Sequence, residues 1–200
     1  MRIIENSRQI PKTKEYMISS YYYDTLYGYL QMMSHWDGIK DHPRYVYKKS
    51  INYSRMAEDL NLSRQTVSKR FNSMLEGTKQ QENSDIPPLI RLSEDGLRYE
   101  LIALESNLAM LVPQTTLEVL VSALNDNAIS VYVYLFNRYF ANGFNKFRFS
   151  YPELKNAIGI ASNSNGNNYI ISGILLVLSK IGLLSYNKEN KIDEEGRSIC

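Results

Sequence analysis

A single cysteine, Cys200, stands in a chain of 200 residues. No disulfide framework and no cysteine zinc site can therefore form within one chain. His35 and His42 are the two histidines, and no third or fourth ligand stands near them at metal-site spacing. There is no Gly-rich phosphate loop, no paired metal-ligand motif, and no Ser-His-Asp or Cys-His arrangement with meaningful context. Neither an enzyme nor a cofactor is expected. The N-terminus lacks a signal-peptide core, and no apolar run is long enough to span a bilayer. The expectation is a cytoplasmic protein with no membrane contact.

Charge of one sign is also scarce, with a formal net charge of only +2. That small sum hides an uneven distribution. Residues 1–80 carry 13 Lys and Arg against 8 Asp and Glu. Residues 81–126 carry 2 against 8, and residues 127–200 carry 8 against 5. Basic charge gathers in residues 1–80, around the helix-turn-helix stretch, as contact with a phosphate backbone would want. Hydrophobic content of 44% and aromatic content of 12% suffice for packed cores, which excludes a disordered tail.

The stretch Tyr53 to Glu76 organises the rest. Met56, Ala57 and Leu60 predict one apolar helix face; Val67, Phe71, Met74 and Leu75 predict a second. Asn61 lies between them, where left-handed geometry is usual, and Ser63 is the expected N-cap of the second helix. This is the layout of a DNA-binding helix-turn-helix. With the apolar stripe buried, the other side of the second helix presents Gln65, Lys69, Asn72 and Ser73, flanked by Arg64, Thr66, Ser68 and Arg70. No carboxylate occurs before Glu76. A helix in the major groove needs amide and guanidinium donors near its N-terminus and no negative charge near phosphate. Lys48 and Lys49, just upstream, are candidate phosphate contacts.

Gly77 should end that helix. Asp95-Gly96 between Leu89–Leu92 and Leu97–Ile102 signals a hairpin, which after a recognition helix is the wing of a winged helix. Arg98 is its candidate flank contact, while Glu94 and Asp95 at the tip argue against deep minor-groove insertion. Ile18 to Trp36 predicts an aromatic helix in which Gly28 allows close helix contact. A short strand is expected at Arg44–Tyr47.

The second half repeats the first. Ile51–Leu62 aligns without a gap on Phe149–Ile160, pairing Asn52 with Ser150 and Asn61 with Gly159. Ser150-x-x-Glu153 is a capping box, with Pro152 tolerated in the first turn. An aromatic helix, Ala128 to Ala141, precedes it with Asn127 as its expected cap. A second recognition helix is expected from about Asn167 to Ile181, burying Ile170, Ile171, Ile174, Val177, Leu178 and Ile181. Its opposite face would hold Tyr169, Ser172, Leu176 and Ser179. Asn165, Asn167 and Asn168 in the leader are candidate base readers or caps. Gly182–Tyr186 begins a second wing whose return strand would fall at the chain's last residue, so that wing is taken as cut short.

The expected fold class is mainly α with small β-hairpin wings (α+β), as two winged helix-turn-helix domains in tandem. Residues 1–15 form a flexible arm, 16–104 the first domain, 105–126 a linker helix capped at Thr115-Thr116, and 127–200 the second domain.

Tyr45-Val-Tyr-Lys-Lys49, Leu62-Ser-Arg-Gln-Thr-Val-Ser68, Val131–Phe140 and Ile181–Tyr186 together resemble the winged-helix proteins carried by plasmids, phages and integrative elements of Gram-positive bacteria. Some members are replication initiators or replisome organisers; others are regulators. The resemblance covers roughly residues 16–186. It implies tandem winged helices on duplex DNA as a homodimer, with replisome or transcription proteins as further partners. Ser63 to Thr66, Lys69 and Asn72 are the reading residues it carries over. The weakly charged second recognition helix departs from a two-headed reader. Three functions compete: initiator or organiser, transcriptional or plasmid-maintenance regulator, and a protein-interaction module.

Overall fold

The structure, a computed structural model, describes residues 7–11, 25–39, 41–77, 88–103, 109–160, 167–187, 191–192 and 198–199. Within them the chain is a mixed α+β protein, with seven α-helices and small antiparallel sheets. No described helix is long and apolar enough to cross a membrane.

Local chemistry sets the central pair of helices, α2 (Tyr53–Asp59) and α3 (Arg64–Glu76). The Asn52 side chain accepts the N–H groups of Ser54 and Arg55, both at 3.1 Å, and so starts α2. Asn61 then turns the chain with φ of 51°, in the left-handed region that Asn tolerates. Ser63 Oγ accepts the Thr66 N–H at 3.0 Å and starts α3. Met56, Ala57, Val67, Phe71 and Met74 all point into the core. α3 ends at Gly77, whose φ of 73° suits a residue without a Cβ.

A three-stranded antiparallel sheet covers this pair. β2 (Tyr45–Tyr47), β3 (Ile90–Leu92) and β4 (Arg98–Leu101) lie in the order β2-β4-β3. The register pairs Val46 with Tyr99 and Ile90 with Leu101, so these side chains share the inner face. The Tyr99 ring meets Phe71 of α3 edge-on, 5.0 Å between centroids. Period-2 alternation puts Tyr45, Tyr47, Arg91, Arg98 and Glu100 on the outer face. Gly96, with φ of 68°, turns the β3–β4 hairpin.

Ser7–Pro11 is not a free tail. It forms strand β1, paired antiparallel with β5 (Ala109–Pro113). Arg8 is buried there; its Nε donates to the Gln31 carbonyl at 3.2 Å and an Nη to Gln114 Oε1 at 2.6 Å. Residues 12–24, including the start of the expected aromatic helix, lie outside the described residues; α1 is described as Thr25–Met33.

Helix α4 (Gln114–Ala123) occupies only part of residues 105–126, and strand β5 leads into it. Pro113, not a threonine, stands at its N-cap and offers no side-chain bond. Leu117, Leu120 and Val121 of α4 pack against α1. Gly28 makes the approach close: a Cβ built on it would stand 2.8 Å from Val121 Cγ2.

Helix α5 (Asp126–Ala141) opens the second half. Its cap is Asn125, which accepts the Ala128 N–H at 3.0 Å, rather than Asn127. Helix α6 (Tyr151–Ala157) begins with the expected capping box: Ser150 Oγ accepts the Glu153 N–H, and Glu153 Oε2 accepts the Ser150 N–H at 2.6 Å. Gly159 turns the chain with φ of 69°, in the place Asn61 holds in the first half. Helix α7 (Asn168–Lys180) follows. Its buried face is Ile171, Ile174, Leu175 and Leu178, while Val177 and Ile181 are exposed. The stripe is thus rotated from the expected one, since Leu175 takes the inward place given to Val177. Two short strands, β6 (Lys191–Ile192) and β7 (Ser198–Ile199), pair antiparallel with each other, while Gly182–Tyr186, expected to begin a second wing, forms no strand. Among the described residues the second half has no counterpart of β2.

Candidate nucleic-acid interface

The N-cap at Ser63 decides which way α3 faces. Fixing its first turn places Val67, Phe71 and Met74 inward at i, i+4 and i+7. What remains outward is polar: Arg64, Gln65, Lys69 and Asn72 are exposed, and Ser68 is half-buried. These five and Tyr53 line an open groove of about 800 Å³. Two cations, two amides and two hydroxyls line the groove, and among the described residues no carboxylate does. Arg64, Gln65 and Ser68 lie in the first turns, where the helix dipole is positive. Ser63 and Thr66 are engaged with each other, Oγ to Oγ1 at 2.8 Å, and serve the cap rather than the groove.

Tyr53 is the residue that sequence reasoning missed. The structure packs it tilted against Phe71, 5.5 Å between centroids, yet leaves part of it lining the groove. Burial, followed by the neighbouring Tyr99, pushes its phenol above the ordinary value. The hydroxyl keeps its proton and remains a donor. Its position at the start of α2, beside the N-terminal half of α3, was the available signal.

Several expected contacts sit elsewhere. Arg70 turns inward: its guanidinium lies 2.9 Å from Asp126 Oδ2 at the start of α5, with the side chain 13% exposed. It ties the two halves of the chain together and is withdrawn from the groove. Arg98 lies on the outer face of the sheet, 3.6 Å from Asp95 and 4.9 Å above the Tyr45 ring. Lys48 and Lys49 are exposed on a one-turn 3₁₀ helix (Lys48–Ser50), where the Lys48 N–H donates to the Leu97 carbonyl at the hairpin. They stand at the end of the sheet and do not line the α3 groove.

The second half gathers a different surface. Asn165 lies outside the described residues. Asn167 stands at the N-cap of α7 without a side-chain cap bond, and Asn168 is half-buried. Ser172 is held by the Tyr151 hydroxyl at 2.8 Å. Tyr169 is 72% exposed, and Leu176, Val177 and Ile181 share the exposed side. The face that corresponds to the polar side of α3 is therefore largely apolar.

Among the described residues no group of three or more His, Cys, Asp or Glu is placed to hold a metal ion. No family model matches the chain, and neither a curated protein nor a solved structure matches it.

Proposed function

We infer that the chain binds duplex DNA through α3, with α1, β2, α2, α3 and the β3–β4 hairpin acting as a winged helix and the second half as a related, modified copy. The observation that carries this reading is the α3 groove. Its lining combines Arg64 and Lys69 with the amides of Gln65 and Asn72, and among the described residues it contains no carboxylate. Arginine, lysine and amide side chains are the groups that meet guanine and adenine edges in the major groove, while neighbouring cations meet phosphate. In this reading Gln65 and Asn72 contact bases, Lys69 and the Tyr53 hydroxyl contact phosphate, and Ser63 sets the helix that presents them.

The biological setting proposed is replication initiation or organisation of the plasmid or phage type, with the chain acting as a cytoplasmic homodimer. Transcriptional or plasmid-maintenance regulation uses the same chemistry. Repeated sites at an origin would favour the first and a promoter operator the second. The apolar outer side of α7 favours one further point: the second half meets protein rather than DNA.

Selection of bound sites from genomic DNA, followed by footprinting, tests the reading. Gln65→Ala or Asn72→Ala should cost about 1–3 kcal/mol at the selected site and little on random DNA. Lys69→Ala should weaken all sequences to a similar degree. Equal losses on selected and random DNA for all three would reject the assigned roles.

A further inference from the structure

The outer face of the three-stranded sheet carries a second set of nucleic-acid chemistry that the α3 groove does not use. His35 pairs with Tyr45 through two backbone hydrogen bonds of 2.8 and 3.0 Å, which extends the sheet by one residue beside β2. The His35 ring then sits 5.9 Å from Tyr45 and 5.5 Å from Tyr47, and the two tyrosines meet edge-on at 5.4 Å. Three rings thus form one contiguous aromatic patch, with Tyr47 39% exposed. Cations bracket it. Arg98 lies over the Tyr45 ring and Lys49 over the Tyr47 ring, the latter at 5.6 Å. A concavity of about 230 Å³ borders the patch, lined in part by Tyr45, Arg98 and Glu100.

Core packing does not account for this arrangement, because Val46, Tyr99 and Leu101 already fill the inner face of the same strands. Of the acids near the outer face, Glu100 is paired with Arg91 at 2.8 Å, Asp37 is hydrogen-bonded to His42 at 2.7 Å, and Asp95 lies 3.6 Å from Arg98. Lys48 and Lys49 remain exposed at the end of the strands. The face therefore offers flat rings beside positive charge. Paired bases in a duplex are stacked on one another and cannot use such rings. Unpaired bases can, and sheet-borne aromatics with flanking cations are a general solution for binding them.

We propose that the outer face of the β2-β4-β3 sheet binds single-stranded DNA, with Tyr47 and Tyr45 stacking on unpaired bases and Arg98, Lys48 and Lys49 meeting the backbone. The choice of DNA over RNA rests on the duplex-DNA reading of α3. One chain would then hold a duplex on α3 and an unpaired strand on its sheet.

Fluorescence anisotropy with labelled oligo(dT), and separately with a labelled duplex, tests this at low salt. Tyr47→Ala should weaken oligo(dT) binding by about tenfold to a hundredfold, the loss of one stacked base. Tyr47→Phe keeps the ring and should keep the affinity, which separates stacking from misfolding. Duplex affinity should be unchanged in both. Lys69→Ala should do the reverse, weakening the duplex and sparing oligo(dT), so failure of either site reads independently. Absence of oligo(dT) binding by the unsubstituted protein, equal behaviour of the Ala and Phe variants, or tighter binding of oligo(U) would each overturn the proposal.

Discussion

Asp126 joins three elements, and its removal is the perturbation with the most defined cost. Its Oδ1 accepts the Thr25 N–H at 2.9 Å and the Thr25 hydroxyl at 3.2 Å, capping the first turn of α1 from a helix 101 residues away. Its Oδ2 holds Arg70 of α3 at 2.9 Å. Losing a cap of this kind costs about 1 kcal/mol. The ion pair lies between the two known limits. Exposed pairs contribute about 0–1 kcal/mol, and breaking a buried pair costs about 3–5 kcal/mol. With the side chains 13% and 25% exposed, an intermediate cost is appropriate, on the order of 2 kcal/mol. Asp126→Ala should therefore lower the unfolding free energy by roughly 3 kcal/mol. Asp126→Asn keeps an acceptor for Thr25 and should lose only the ionic part. Urea unfolding followed by circular dichroism measures both, and a cycle with Arg70→Ala gives the coupling directly. A loss below about 0.5 kcal/mol for Asp126→Ala would refute the joint, since that is the ordinary effect of a surface substitution. So would an Arg70→Ala protein of unchanged stability whose DNA affinity falls, because it would return Arg70 to the DNA interface.

Two further outcomes follow from the packing and the caps. Gly28→Ala should gain about 1 kcal/mol of helix propensity and lose about 1–3 kcal/mol to the 2.8 Å clash with Val121. The net is a lower melting temperature, and Val121→Ala in the same chain should restore it. A Gly28→Ala protein more stable than the parent would contradict the close approach of α1 and α4. Burial pushes the Glu153 carboxyl up, but the Ser150 N–H and hydroxyl and the Arg138 guanidinium outweigh it and hold the group below its ordinary value of 4.5. A depressed carboxyl stabilises the fold above its unfolded value and loses that contribution as the pH falls through the folded one. Glu153→Gln should therefore be less stable than the parent at neutral pH, with the two curves converging below about pH 4.5. Parallel curves down to strong acid would remove Glu153 as a contributor.

What could be read from the residues follows the range of the forces involved. Asn52, Ser63 and Ser150 bond to backbone N–H groups two or three residues ahead, so their helix starts are written locally. Asn61, Gly77, Gly96 and Gly159 mark turns by their own conformational freedom. The Leu89–Leu92 and Leu97–Ile102 runs gave the hairpin because its turn lies between them. Long-range pairings were not readable. Nothing near Ser7–Pro11 announces Ala109–Pro113 as its partner, and Arg8 reads as a free cation until Gln31 and Gln114 come to it. Arg70 belongs by periodicity to the polar flank of α3; only the arrival of Asp126 turns it inward. Periodicity also misplaced the α7 stripe, since Ile170 to Leu178 is apolar at almost every position and fits more than one phase. Tyr53 is not legible as a groove residue, because part of it packs on Phe71 and only the fold brings the rest to the groove.

The central claim is that the outward side of α3 meets DNA phosphate and base edges. The most direct measurement is duplex affinity by fluorescence anisotropy as salt rises from low to moderate concentration. Binding through phosphates releases counterions, so the logarithm of affinity should fall linearly with the logarithm of salt, and Lys69→Ala should flatten the slope by about one. A slope near zero in the unsubstituted protein, or one that Lys69→Ala leaves unchanged, would contradict it.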